Sequence, residues 1–282
     1  MKESKKPKIG LALGGGGPRG LAHIGVIKVL EENNIPIDFI AGSSIGAMIG
    51  GFYAATKDID RVEKIALGTN WKIILALIDP SFRQGLFIGK KVSDFIEKHV
   101  EKKQFKDLKV PLSVVATNFR NGEAVVINEG DVASAIRASI SLPLIFKPVE
   151  REGKLLVDGG LSLPVPVEVA RKMGAELIIA VDLYADLFTS GSSKESQEFG
   201  FYKIADNSFN IMLHHLARHN IKNADININP PVGKAHWGKF ADGEDIILAG
   251  EKSARKILPQ LKELMRQKGK SGLSKFLEFF KE

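Results

Sequence analysis

The first 56 residues leave this chain few folds to choose from. Lys8-Ile9-Gly10-Leu11-Ala12-Leu13 is a short apolar run that breaks into Gly14-Gly15-Gly16-Gly17-Pro18-Arg19-Gly20. A helical stripe of Ala22, Val26, Val29 and Leu30 follows. Glu31-Glu32-Asn33-Asn34 closes that helix, and Pro36 starts the connection to a second apolar run, Ile37-Asp38-Phe39-Ile40-Ala41. This run ends in Gly42-Ser43-Ser44-Ile45-Gly46, and the residues after it, Ala47 to Ala55, are apolar on nearly every face, as in a helix buried in a core. Strand, helix, strand, helix with short joints is the pattern of parallel strands linked by crossover helices. The C-terminal ends of the two strands then lie side by side. The glycine loop and the serine turn therefore share the sheet edge at which open α/β sheets bind their ligands.

A strand that turns sharply into a helix at G-x-S-x-G holds the middle serine in a strained conformation with its Oγ exposed. Gly42 and Gly46 remove the side chains that would clash there. Ser44 is the candidate nucleophile. It stands at a helix N-terminus, where unpaired N–H groups and the positive end of the dipole favour an oxyanion. The same five residues also describe a plain Gly/Ser turn between two buried elements. Gly15, Gly17 and Gly20 satisfy G-x-G-x-x-G, but a dinucleotide site needs an acid at the end of the second strand, and Asp38 is at its start. No Gly-Lys-Ser/Thr follows the glycines, so a Walker phosphate loop fails as well. What remains is an oxyanion hole built from the N–H groups of Gly15, Gly16 and Gly17. A simple turn would not require the backbone entropy of four consecutive glycines.

The chain has 282 residues and no cysteine, which removes disulfides and thiolate chemistry and fits a reducing compartment, so a cytoplasmic location is expected. The basic start, Met1 to Lys8, lacks the apolar segment of a signal peptide. No run reaches the roughly 18 apolar residues of a spanning helix. Lys and Arg exceed Asp and Glu by 40 to 33, for a net charge of +7, which favours an anionic partner such as a phospholipid surface. With 3 Tyr and 2 Trp and no basic-aromatic interleaving, nucleic acid is not expected.

Further along, Asp58 to Leu67 and Gly89 to Lys103 read as amphipathic helices, with His99 at a surface boundary. Trp71 to Asp79 is apolar and reads as core, or as the lining of an acyl pocket or a cover over the site. Residues 111–117 and 123–127 form a hairpin pattern around Asn121-Gly122, and a helix from Asp131 to Ser139 follows. Then come a proline-broken loop through Pro143 and Pro148 and a strand ending in Asp158-Gly159-Gly160. Asp158 is the second anchor: two glycines let the backbone bend and aim its carboxylate inward. An ordinary Asp-Gly turn has the same letters. After a helix at 165–173 and a strand at 176–182, the flexible stretch Thr189 to Ser193 closes a core of about 8–186. A mainly helical extension, 200–282, completes a single domain, with helices at 201–221 and 246–267, a short strand at 226–228 and a tail whose Leu273, Phe276, Leu277 and Phe280 share a face. The tail's default is docking onto the body, with a membrane-surface or partner contact as the alternative.

Gly15-Gly16-Gly17-Pro18-Arg19-Gly20, Gly42-x-Ser44-x-Gly46, Ser139-x-Ser141-x-Pro143-x-x-Phe146 and Asp158-Gly159-Gly160 together resemble the patatin-like phospholipase family in order and spacing, from about Lys8 to Asp182. The resemblance implies a three-layer α/β/α fold with a mostly parallel central sheet. It also implies hydrolysis of lipid acyl esters, of phospholipase A or lysophospholipase type, by a Ser-Asp dyad without metal or cofactor. By position, Ser44 is the nucleophile and Asp158 its partner. Gly15, Gly16 and Gly17, with the N–H of Ile45, form the oxyanion hole, and Arg19 is the basic residue beside it. The chemistry is sound from below, since a buried carboxylate gains the basicity needed to take a serine proton directly. Two alternatives stay open. One is a Ser-Asp-His esterase using His214, His215, His219 or His236, which follow in α/β-hydrolase order. The other is a non-enzymatic lipid-binding or regulatory protein on the same fold. His23 reads as a packing residue.

Overall fold

The computed structural model of the chain describes residues 6–68, 89–143, 145–188, 201–233 and 243–279, with side chains except at 201–203 and 270–279. The apolar stretch Trp71 to Asp79, the Thr189 to Ser193 segment, His236 and Phe280 lie outside the described residues, as do the side chains of Leu273, Phe276 and Leu277.

The strands are β1 (Ile9–Leu13), β2 (Phe39–Ser43), β3 (Leu112–Asn118), β4 (Ala124–Ile127), β5 (Val149–Arg151), β6 (Lys154–Asp158), β7 (Leu177–Val181) and β8 (Ile226–Ile228). The helices are α1 (Ala22–Glu32), α2 (Ile45–Thr56), α3 (Ile59–Leu67), α4 (Lys90–His99), α5 (Val132–Ser139), α6 (Val167–Lys172), α7 (Phe201–Asn220) and α8 (Gly243–Phe279). All eight strands among the described residues join one mixed sheet, ordered β5-β6-β3-β2-β1-β7-β8 with β4 also on β3. The pairs β1–β2, β1–β7, β2–β3 and β7–β8 are parallel.

Strand alternation sorts the core into three layers. Ile9, Leu11 and Leu13 point to one face, where α1, α2 and α8 cover them. Ala12, Ala41 and Ala180 point to the other, against Val167 and Ala170 of α6 and Leu213 and Ala217 of α7. The small side chains on this second face let α6 approach closely. A Cβ on Gly10 would stand 3.3 Å from that of Ala170 in α6 and 2.5 Å from that of Ala175 just after it. Every residue of α2 is buried, as its apolar circumference dictates, and the Tyr53 hydroxyl donates to Glu31 of α1 at 2.7 Å.

The register around β3 places the site. Val115 is opposite Ser43 of β2, whereas Ala116 and Thr117 are opposite Asp158 and Val157 of β6; β4 pairs with the same β3 residues from the other side. The two strands β2 and β6 therefore share one edge of β3 and meet head to head, since β6 runs antiparallel. Asp158 reaches the level of Ser44 from the opposite direction, not as the end of another parallel strand.

The last helix differs from the sequence expectation. Instead of stopping near 267 with a separate tail, α8 runs unbroken to Phe279. Gly269 and Gly272 weaken a helix by about 1 kcal/mol each without supplying a stop. Lys268 also holds that part of the helix to the body through Asp225 Oδ1 and the Glu176 carbonyl.

Candidate active site

Ser44 caps α2 with φ 53° and ψ −123°, a positive-φ conformation that costs a non-glycine residue on the order of 1–3 kcal/mol. The elbow can close this tightly because a Cβ on Gly46 would run into the Leu13 carbonyl and one on Gly42 into the Ala47 backbone. The Ser44 hydroxyl donates to Asp158 Oδ2 at 2.6 Å. Asp158 Oδ1 accepts the Gly160 N–H at 2.8 Å, so the glycines after Asp158 hold the carboxylate as well as bend the chain. Asp158 is 6% exposed, and burial pushes its carboxyl up to about 6, with the Ser44 and Gly160 bonds holding it back from going higher.

The glycine loop lies against this pair. A Cβ on Gly15 would stand 3.4 Å from that of Ser44 and 3.0 Å from Tyr184 Oη. The loop amides are not equivalent. Gly14 donates to the Val181 carbonyl and Gly15 to the Pro164 carbonyl, at 3.1 and 2.9 Å. The Gly15 N–H, expected as an oxyanion donor, is thus already engaged by the loop that follows Asp158. The Gly16 and Gly17 N–H groups donate to no described residue, and neither do those of Ile45 and Gly46 at the start of α2. Gly16 has φ 147°, which its lack of a Cβ permits.

Arg19 is buried, and its Nε donates to the Gly16 carbonyl at 2.9 Å. A trans peptide sets C=O and N–H on opposite sides, so this grip turns the Gly17 N–H away from Arg19. The guanidinium lies 5.1 Å from the Tyr184 ring centroid, and Nη2 donates to Asn210 Oδ1 of α7 at 3.4 Å. Burial lowers its affinity for the proton, and the surrounding Tyr184, Asp206 and Asp182 partly offset that.

Among the described residues, no histidine hydrogen-bonds to Ser44 or Asp158. His214 Nδ1 pairs with the Tyr184 carbonyl at 2.7 Å, and its ring meets Phe188 edge-on. His215 and His219 are exposed on α7. His23 is fully buried with Nε2 2.7 Å from the Gly14 carbonyl, and burial pushes it down to about 4, so at neutral pH it is an uncharged donor that supports the glycine loop. Tyr184 and Asn210 were missed from the sequence. The only local signal for Tyr184 was its place just after the C-terminal end of β7, where Asp182 Oδ1 takes its N–H. Among the described residues, no three His, Asp or Glu side chains cluster as metal ligands, and no helix is long and apolar enough to cross a membrane.

The sequence model of the family described as "Patatin-like phospholipase" matches residues 11–171. The chain belongs to this family. The patatin-like match contains the glycine loop, Ser44 and Asp158 and ends before β7. An uncharacterized NTE family protein of Mycobacterium tuberculosis is 40% identical over 184 residues, 65% of this chain and 51% of its own length. A lysophospholipase of Emericella nidulans is 38% identical over 181 residues, covering 62% of this chain and 12% of the fungal protein. The human patatin-like phospholipase domain-containing protein 6 is 35% identical over 197 residues, 66% and 14% of the two chains. This chain therefore spans about half the length of the mycobacterial relative and a small part of the others. The crystal structure of VipD from Legionella pneumophila superposes with a TM-score of 0.54 at 15% identity, over 91% of this chain and 67% of that one, a likeness of fold. The mixed sheet with helices on both faces is the three-layer α/β/α arrangement of the patatin-like fold.

Proposed function

We propose that this protein is a serine acyl-ester hydrolase of lipids, of phospholipase A or lysophospholipase type, working through Ser44 and Asp158. The observation that carries the proposal is the 2.6 Å hydrogen bond from the half-buried Ser44 hydroxyl to Oδ2 of the buried Asp158. A carboxylate titrating near 6 is ionised at neutral pH yet more basic than an exposed one, as a direct general base must be. Asp158 takes the hydroxyl proton as Ser44 Oγ attacks the ester carbonyl. The oxyanion is held by the N–H groups of Gly16 and Gly17 with that of Ile45, the amides left without a described acceptor, Gly15 being engaged elsewhere. Asp158 returns the proton to the departing alcohol. It then activates the water that cleaves the acyl-serine and releases the fatty acid. The likeness to a lysophospholipase and to a patatin-like phospholipase domain-containing protein supports lipid as the acyl donor.

Hydrolysis of a short-chain chromogenic ester and of a lysophospholipid tests the reading, with wild type, Ser44→Ala, Asp158→Asn and a His214/His215/His219/His236 quadruple Ala variant. The expected result is loss of turnover, on the order of a thousandfold or more, in the first two variants, and activity retained in the third. Wild type without turnover and without a serine-directed covalent label would favour the lipid-binding alternative.

Contact with an anionic membrane surface belongs to the same reading. The net charge of +7 supports it, and so do Ile204, Ile211 and Met212 of α7, which are exposed on the helix whose inner side bonds to Arg19. Co-sedimentation with anionic vesicles should weaken in an Ile211→Ser/Met212→Ser variant and at high salt. Removing 272–282 tests the tail in the same assay.

A further inference from the structure

The Ser139-x-Ser141 motif has no part in the bond-making steps, yet it contacts both residues that do. We propose that the turn Ser139–Ser141 is a positioning brace that sets nucleophile and base against each other by holding the backbone N–H of each. This rests on the Ser44–Asp158 hydrolase reading.

Ser139 is fully buried at the C-terminal end of α5. Its Oγ accepts the Ser44 N–H at 2.8 Å and donates to the Val115 carbonyl at 2.5 Å. A hydroxyl has a single proton, and that proton is committed to Val115, so the Ser44 amide meets only lone pairs. The hydroxyl thus relays between β2 and β3 at the point where β2 leaves the sheet, and pins the residue whose φ is positive. Two residues on, the Ser141 carbonyl accepts the Asp158 N–H at 3.0 Å. Ser141 is itself clamped: Arg137 Nη1 donates to its Oγ at 2.7 Å, and that Oγ donates to the Arg137 carbonyl at 2.8 Å. The buried Arg137 guanidinium lies 4.7 Å from the ring centroid of Phe146, the last residue of the same motif. Ser139 and Ser141 lie on one turn, the second of them fixed by Arg137, and among the described residues this turn holds the amides of both Ser44 and Asp158. A shift of either amide therefore changes the Ser44–Asp158 distance.

Removing the Ser139 hydroxyl should slow acylation without weakening substrate binding. In Ser139→Ala, kcat for a soluble ester is expected to fall on the order of a hundredfold with KM within about twofold, counted per site titrated by a fluorophosphonate. The acid limb of the pH–rate profile should also move to higher pH, because a misaligned Ser44 no longer stabilises the Asp158 carboxylate. The other groups facing Asp158 are the Gly160 N–H and the Tyr184 phenol, which burial keeps neutral. Ser139→Thr and Ser139→Val add nearly the same volume and differ in the hydroxyl, so Thr should outperform Val by tenfold or more. Equal rates for Thr and Val, or an Ala variant whose loss is matched by its loss of titratable sites with an unmoved pH limb, overturn the brace. Wild type that neither turns over nor takes the label overturns the hydrolase reading instead.

Discussion

Burial and hydrogen bonding pull the Asp158 carboxyl in opposite directions, and the pH behaviour of the protein should follow from the balance. Catalysis needs the ionised form, so kcat/KM should rise with pH through about 6, the value to which burial pushes the group. Stability should run the other way. Between the ordinary value of 3.8 and about 6 the folded protein keeps a proton that the unfolded chain has released, so stability falls as pH rises through that window. Asp158→Asn removes the cost, by about 3 kcal/mol at most. Thermal unfolding should show a higher Tm for the variant at pH 8 and a gap that closes toward pH 4. A variant no more stable than wild type at pH 8 would mean that the two hydrogen bonds outweigh the burial. The positions of Ser44 and Asp158 were legible in the sequence because each is written in contiguous letters, glycines on both sides of Ser44 and two after Asp158. The engagement of the Gly15 amide by Pro164 was not legible, nor was the seating of Arg19 on Tyr184, because the partners lie far along the chain.

The contact between α1 and α8 is made by two glycines facing each other's backbone. A Cβ on Gly25 would run into the Ile247 carbonyl, and one on Gly250 into the Ala22 carbonyl. Backbone cannot rotate aside as a side chain can, so Gly250→Ala should separate the helices and cost about 1–3 kcal/mol or more. Thermal unfolding would read this as a Tm lower by several degrees; an unchanged Tm would mean the helices slide past the added methyl. Ala22 directly follows the turn that carries Arg19, so loss of activity below the melting range is expected to accompany the shift. From the sequence, α8 was legible as a helix but not as this partner, since a glycine within a helix records a close approach without naming what approaches. Its length was misread for a related reason: Lys268 is tied to Asp225 and Glu176, contacts that no local propensity encodes.

Across the whole molecule, the family match ends at residue 171, but the sheet does not. Beside β1 lies β7, with β8 beyond it, so the residues after the match supply the outer part of the sheet and the helix covering α1. A chain ending at 187 would bare the β7 edge and that face together, and it should aggregate on expression, whereas one ending at 271 should stay folded and monodisperse in gel filtration. The parallel half of the sheet was legible from its strand–helix alternation. The antiparallel β6 was not placed, because register is a relation between strands and no single strand's pattern contains it. That register has a consequence for how much the chain can vary. The spacing of Ser44 and Asp158 is set by one residue step on β3, from Val115 to Ala116, whatever the length of the chain that joins the two strands. Two residues inserted after Gly122, at the tip of the β3–β4 hairpin, should leave turnover intact. One residue deleted between Leu155 and Val157 should swing the carboxylate to the other side of the sheet and abolish it.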